Sequence, residues 1–181
     1  DALTGVKSKH AYLEMEKDIN SRIGNGEMEQ DLKELILSKG LEQQVRLLGS
    51  MSPESVRNHM AQADIYLFTS DRQEGWGAVL NEAMSSACAV VACREIGSVP
   101  FLLKSGENGL IYDKHGSNSL YHNVKSLIQD KQLRERLQKN AYDTIKNVWN
   151  ADMATERLLR LIDCIQKGEQ TPYTDGPCSR C

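Results

Sequence analysis

Two short, almost uninterrupted apolar runs limit what this chain can fold into. Asp64-Ile65-Tyr66-Leu67-Phe68 and Ala89-Val90-Val91-Ala92 do not alternate between apolar and polar residues, so we expect each to form a strand that is covered on both faces. Residues 78–87 lie between the two runs and have the pattern of a helix. A strand, a helix and a second buried strand in this order predict a parallel sheet.

Strand candidates and longer helical segments alternate along most of the chain. Ser52 and Pro53 mark the clearest helix start, because a hydroxyl can cap a helix and proline fits its first position. Gly97 and Pro100 predict a turn. The remaining predicted strands are 19–23, 44–48 and 110–112, and the remaining predicted helices are 27–38, 118–128, 131–148 and 151–166. This alternation predicts an α/β fold with a three-layer, Rossmann-like, doubly wound parallel sheet and a helical C-terminus.

The 181 residues fit one domain with a substantial core. We place the domain at residues 19–167, after a polar, helix-like segment at 1–18 and before an irregular tail at 168–181 that is rich in Gly, Pro and Thr. The tail holds Cys178 and Cys181 in C-x-x-C spacing. Because no second pair and no histidine partner accompany them, we assign this pair no redox or metal role.

Charge and hydropathy exclude several classes of function. The net charge of -3 argues against broad nucleic-acid binding, which needs a basic face. No apolar run approaches the roughly 18 residues of a membrane-spanning helix, and the first residues lack the pattern of a signal peptide. A cytoplasmic protein is therefore expected.

The segment that follows the first apolar run combines residues that suit a polar ligand. Glu74, Gly75 and Gly77 precede the predicted helix, and Glu82 is expected about two turns inside it. Glycine lets the backbone approach a ligand closely, and the helix start presents unpaired N–H groups to an anion such as a diphosphate. The two carboxylates could grip opposite ends of one extended ligand. The same residues are also compatible with ordinary turn glycines and solvated helix charges.

The series of motifs resembles the C-terminal, donor-binding half of retaining GT-B glycosyltransferases, especially glycosyltransferase family 4. Glu74-Gly75-Trp76-Gly77-Ala78-Val79-Leu80-Asn81-Glu82 is similar to the family's E-x7-E signature. The other similar segments, in the family's order, are Ile23-Gly24-Asn25-Gly26-Glu27, Val45-Arg46-Leu47-Leu48-Gly49, Ala63 to Ser70, Gly97-Ser98-Val99-Pro100 and Gly106-Glu107-Asn108-Gly109-Leu110. The likeness covers about residues 19–165.

The resemblance implies a role for each matched residue. Glu82 would accept hydrogen bonds from the ribose hydroxyls of a nucleotide, and Glu74 would face the donor sugar as the catalytic carboxylate. The resemblance also implies that the loop residues Gly75, Trp76, Gly77 and Ala78 bind the donor, together with Gly24, Leu48 and Gly49. Of these, Leu48 and Gly49 would lie near the base of the nucleotide. The implied donor is a UDP-, GDP- or ADP-sugar, with no cofactor and no metal ion.

The sequence differs from the family's motifs in two ways. Alanine occupies positions 87 and 89, where the family has glycine and proline, and Phe101 replaces its glutamate. The basic pair that the family places beside the diphosphate has no clear match, and Lys7, Lys9 and Lys17 are interpreted as solvated lysines.

The family's N-terminal acceptor-binding domain is not matched by any part of the chain. Transfer in this fold needs both halves, so the resemblance implies that this chain alone is inactive. The acceptor would be a glycan, a lipid or a small molecule, and the complete protein could associate with the inner face of the membrane. Two alternatives stay open: a non-catalytic nucleotide-binding α/β module, and a sugar epimerase of GT-B architecture.

Overall fold

Three parallel strands form the sheet in the order β1-β2-β3, with β1 at Ile65–Phe68, β2 at Ala89–Cys93 and β3 at Leu110–Tyr112. Ile65 pairs with Ala89, and Val91 pairs with Leu110. The computed structural model describes residues 27–70, 72–114 and 119–179. Every residue of β1 and β2 is buried, which confirms the expectation of strands covered on both faces.

Helices connect and cover these strands. Their bounds are α1 Glu27–Ser38, α2 Pro53–Gln62, α3 Val79–Ser85, α4 Val99–Leu102, α5 Leu120–Gln129, α6 Lys131–Asn147 and α7 Ala151–Gln166. Helices α3, α5 and α6 pack against β2, and α6 also packs against α3. The core lies between these elements, and its largest fully buried side chains include Tyr66, Phe68, Met60, Leu80 and Met84. The predicted α/β fold with a parallel sheet, flanking helices and a helical C-terminus is confirmed.

Polar side chains cap the starts of four helices. The Ser52 Oγ accepts a hydrogen bond from the Ser55 N–H at 3.2 Å, and Pro53 occupies the first turn of α2. Ser119, Asp130 and Asn150 cap α5, α6 and α7 in the same way. Each cap satisfies an N–H group that the helix leaves unpaired, which is why the chain turns into a helix at these points.

Helix α3 ends in a Schellman motif. The Cys88 N–H bonds the Ala83 carbonyl at 3.1 Å, and the Ala87 N–H bonds the Met84 carbonyl at 3.0 Å. This geometry places Ala87 at a φ of 55°, in the left-handed region that favours glycine. The replacement of the family's glycine by alanine therefore preserves the turn but strains the backbone.

Two sequence-based expectations need correction, and two fall outside the described residues. Residues 44–48 form no strand, and the sheet of the described residues consists of β1, β2 and β3. The side chains of Leu47 and Leu48 are exposed. The predicted turn is present at Gly97, but Pro100 lies inside α4. The predicted strand at 19–23 and the helical segment at 1–18 lie outside the described residues.

The C-terminal tail has no helix or strand over residues 169–179, but it is fastened to α7. The Arg157 guanidinium donates a hydrogen bond to the Asp175 carbonyl and lies 4.5 Å from the centre of the Tyr173 ring. Gly176 is buried against Arg157 and Val148. Hydrogen bonds and packing therefore hold an irregular segment in place. No helix of the described residues is long and apolar enough to span a membrane.

Candidate functional site

Two loops meet at the carboxyl edge of the sheet. The first joins β1 to α3, and the second joins β2 to α4. The Ser98 N–H of the second loop donates to the Trp76 carbonyl of the first at 3.0 Å. Gly97 lies so close to the Gly75 carbonyl that a Cβ atom would overlap its oxygen. The predicted ligand loop therefore lies at the edge where open parallel sheets bind ligands.

Gly77 fixes the loop to the core beneath it. Its φ is +73°, and a Cβ atom would come within 2.7 Å of the Phe68 Cζ and within 3.2 Å of the Ile96 Cγ2. Phe68 and Ile96 are fully buried, so neither side chain has room to move. Both the backbone conformation and the close approach require glycine at this position.

The loop presents four main-chain N–H groups that the protein leaves unused. Within residues 27–70, 72–114 and 119–179, the N–H groups of Gly75, Trp76, Gly77 and Ala78 donate no hydrogen bond. Ala78 is the N-cap of α3 and has no side-chain acceptor for the first helical turn. Unpaired donors at the positive end of a helix suit an anionic ligand.

The two glutamates flank these donors in the sequence. Glu74 is half-buried, and its Oε2 accepts a hydrogen bond from the Ser70 Oγ at 3.3 Å. Glu82 is exposed and lies in the first turn of α3, not two turns inside it as expected, because the loop takes up residues 74–78 before the helix begins. The hydrogen bond from Ser70 limits the rotation of the Glu74 carboxylate, which the sequence did not indicate. The ligand roles of both carboxylates stay predictions.

An aromatic cluster supports the loop from one side. The Trp76 ring lies 5.6 Å from the Phe101 ring and 5.7 Å from the Trp149 ring, centre to centre. The Trp76 Nε1–H donates to the Asn81 Oδ1 at 3.1 Å, which fixes the ring against the start of α3. Phe101 therefore packs on Trp76, where sequence comparison indicated only the loss of a glutamate. No local pattern could reveal Trp149, because it joins the cluster from the distant end of α6.

One basic side chain at the same edge was not identified from the sequence. Arg94 follows β2, and its Nε lies 2.5 Å from the Asp113 Oδ1 beyond β3. The hydrogen bond and charge of Asp113 raise the pKa of Arg94 above its usual value. Both side chains are exposed, so this ion pair contributes little to stability.

The other predicted donor-binding residues are Leu48, Gly49 and Gly24, and their ligand roles stay predictions. Leu48 and Gly49 lie in an exposed segment, and Gly49 has open space where a Cβ would be. No hydrogen bond found in the described ranges joins either residue to residues 74–78. Gly24 lies outside the described residues.

Two further features concern metal and thiol chemistry. Among the residues that the structure describes, no group of three or more His, Cys, Asp or Glu side chains is arranged to hold a metal ion. Burial raises the pKa of the Cys88 thiol from 9.0 to about 12, with a smaller effect from Asp64. Its S–H donates to the Met60 carbonyl at 3.3 Å, so Cys88 is a core residue and not a nucleophile.

Comparison with known proteins identifies relatives of this chain. The model of the family described as "Glycosyl transferases group 1" matches residues 12–144. An uncharacterized glycosyltransferase of Methanocaldococcus jannaschii is 29% identical over 148 residues, which are 80% of this chain and 41% of that protein. A 4-alpha-N-acetylgalactosaminyltransferase of Campylobacter jejuni, which acts on a diphospho-undecaprenol substrate, is 28% identical over 84% of this chain and 41% of its own length. The chain thus spans about two fifths of the length of these curated relatives.

Solved structures share the fold. The C-terminal domain of the glycosyl transferase group 1 family protein LpcC from Francisella tularensis superposes with a TM-score of 0.62 at 26% identity, over 68% of this chain and 63% of that one. Anabaena HepE in complex with UDP gives a TM-score of 0.65 at 25% identity, over 78% of this chain and 38% of its own. The described domain therefore has the fold of the C-terminal half of a GT-B protein.

Proposed function

The chain belongs to the glycosyl transferases group 1 family, and on that premise we propose that it is the nucleotide-sugar-binding half of a retaining glycosyltransferase. The donor is a nucleoside diphosphate sugar, and the sugar passes to an acceptor held by a second domain. The observation that carries this proposal is the set of unused N–H groups of residues 75–78, with a carboxylate on either side.

The N–H groups account for recognition of the diphosphate. Backbone donors at a helix start bind phosphate oxygens without the entropy cost of ordering a long basic side chain. Gly75 leaves space for the ligand, since no atom lies within 4 Å of the position of its missing Cβ. The similar Anabaena protein was solved in complex with UDP, which supports a nucleotide as the ligand.

The carboxylates account for recognition at the two ends of the donor. Glu82 is exposed at the first turn of α3 and can accept both ribose hydroxyls. Glu74 is held by Ser70 and is in our proposal directed at the sugar, where its charge stabilises the positive charge that develops at the anomeric carbon. Binding in this scheme needs no divalent metal, because the backbone donors balance the phosphate charge.

Transfer itself requires a second domain. The reacting atoms of donor and acceptor must be held about 3–3.5 Å apart and correctly oriented, which one half of a two-domain cleft cannot achieve. The chain corresponds to about two fifths of its curated relatives. We therefore propose that this chain binds the donor but transfers no sugar until it is combined with an acceptor-binding half.

Calorimetric titration with UDP, GDP and ADP tests donor binding. We expect at least one nucleotide to bind, with the same affinity in Mg²⁺ and in EDTA. Glu82→Gln should weaken this binding about tenfold or more, since a hydrogen bond to a charged group contributes about 1.5–3 kcal/mol. Glu54→Gln is the matched control, because Glu54 is an exposed glutamate in the first turn of α2. Absence of binding by all three nucleotides, or equal loss in both variants, would contradict the proposal.

A second measurement tests the reaction. The chain should release no sugar to an acceptor when a UDP-sugar is supplied, whereas the chain joined to an acceptor-binding half should form a product with the anomeric configuration of the donor. A product of inverted configuration would refute the retaining mechanism. Transfer by the chain alone would refute the requirement for a second domain.

A further inference from the structure

A cleft lies beside the aromatic cluster, and none of residues 74–78 lines it. Its volume is about 340 Å³, within the lower range of small-molecule sites. It is bordered by α4, the turn at residues 104–109, the C-terminal half of α6 and the tail. The residues that matter here are Phe101, Lys104, Glu107, Asn147, Trp149 and Asp175, and we call this space the α4–α6 cleft.

The walls of the α4–α6 cleft are held rigidly. Asn108 is buried, and its Nδ2 donates to the Leu102 carbonyl at 2.9 Å and to the Thr144 Oγ1 at 3.0 Å. Its Oδ1 accepts from the Lys104 N–H at 2.8 Å, and the Asn140 Nδ2 donates to the Glu107 carbonyl at 2.7 Å. These bonds tie the 104–109 turn to α6, so a ligand would enter a preformed site.

The chemistry of the lining combines aromatic rings with unused polar groups. The exposed fraction of Phe101 is 49%, and Trp149 is half-buried. In the part of the chain that the structure describes, the side chains of Lys104, Glu107 and Asn147 form no hydrogen bond and no ion pair. Together they offer donors, acceptors and an apolar ring surface at one place.

This combination selects among classes of ligand. Asp143 is paired with Lys139 at 2.6 Å, so its charge is balanced. Of the remaining charged side chains that line the cleft, Glu107 and Asp175 outnumber Lys104, which disfavours an anion. An apolar ligand would remove water from these charges without replacing their hydrogen bonds, which is costly. A neutral saccharide fits both features, because its hydroxyls donate and accept while its C–H faces stack on aromatic rings.

We propose that the α4–α6 cleft is a binding site for a neutral saccharide, separate from the nucleotide site. Phe101 and Trp149 both line the cleft and both contact Trp76, which stands between Gly75 and Gly77 in the donor loop. The cleft is therefore continuous with the donor loop through the aromatic cluster. This proposal goes beyond nucleotide binding and does not depend on it.

The test is a titration of the 181-residue chain followed by backbone amide shifts, with maltotriose, chitotriose and inorganic phosphate as probes. We expect at least one trisaccharide to shift the amides of residues 101–109 and 140–149, and phosphate to leave them unchanged. Phe101→Ala should weaken saccharide binding about tenfold. Tyr121→Ala is the control, because Tyr121 is an exposed aromatic residue on α5 outside the cleft. Asn147→Ala, at an exposed helix position, gives an independent variant should Phe101→Ala unfold the chain.

The outcomes separate this inference from the proposed function. Shifts in the cleft that are lost in Phe101→Ala or Asn147→Ala and kept in Tyr121→Ala support it, even if no nucleotide binds. Three results would overturn it: no shift with either trisaccharide, a shift confined to residues 74–82, or a shift in the cleft with phosphate alone. If a nucleotide shifts the amides of residues 75–78 in any of these cases, the proposed nucleotide site still stands.

Discussion

Replacement of Gly77 by alanine tests whether the donor loop is fixed to the core as the structure indicates. The residue has a φ of +73°, and the new Cβ would lie 2.7 Å from the Phe68 Cζ and 2.9 Å from its Cε1. These distances are far below van der Waals contact. The ring cannot retreat, because Phe68 is buried beneath the sheet edge and also lies beside Tyr66.

Two effects add up in this variant. A left-handed backbone costs a residue with a Cβ about 1–2 kcal/mol, and an overpacked core costs typically about 1–3 kcal/mol more. We therefore expect Gly77→Ala to lower the free energy of unfolding by about 2–5 kcal/mol. With a urea m-value of about 2 kcal/mol/M, the midpoint of unfolding falls by roughly 1–2.5 M.

Urea unfolding of Gly77→Ala and Gly106→Ala separates the two effects. Gly106 has a φ of +83° but open space where a Cβ would be, so its alanine variant carries only the backbone cost of about 1–2 kcal/mol. If Gly77→Ala is no less stable than Gly106→Ala, the contact with Phe68 does not fix the loop and the reasoning is refuted.

Three further predictions concern other parts of the chain. Ala87→Gly should raise the free energy of unfolding by about 0.5–1 kcal/mol in urea titration, because the left-handed strain at φ 55° exceeds the added flexibility of the unfolded chain; a loss of stability would contradict the Schellman geometry. The Cys88 thiol has a pKa of about 12 in the folded state, so between pH 9 and pH 12 it ionises only in the unfolded chain. The free energy of unfolding should therefore fall as the pH rises through this range. Cys88→Ala should reduce this fall, and a pH profile unchanged by the substitution would refute the raised pKa of Cys88. Arg157→Ala should increase amide hydrogen exchange of residues 169–179 about tenfold or more, while the strands of the sheet stay protected. The control, Arg160→Ala on the exposed face of α7, should leave exchange in the tail unchanged. Equal exchange in both variants would show that Arg157 does not hold the tail.

The sequence predicted the sheet and most helices because their signals are local. Continuous apolar runs identify β1 and β2, and Ser52 with Pro53 identifies the start of α2. Residues 44–48 mix apolar residues with Gln44 and Arg46. A strand also needs a neighbour for its backbone hydrogen bonds, and no described strand supplies one.

The position of the donor loop was predictable from the sequence, but the aromatic contacts that hold it in place were not. Spacing placed Glu74 and the glycines before a helix at the correct edge of the sheet. The contacts of Trp76 with Phe101 and Trp149 join three distant parts of the chain, so no sequence window contains them. The strain at Ala87 likewise becomes visible only once its φ is known.

The most direct test of the account is a crystal structure of this chain with UDP. We expect diphosphate oxygens about 2.7–3.2 Å from the backbone nitrogens of residues 75–78, with the ribose hydroxyls hydrogen-bonded to the Glu82 carboxylate. A UDP molecule bound elsewhere on the chain, with those four N–H groups still without an acceptor, would contradict it.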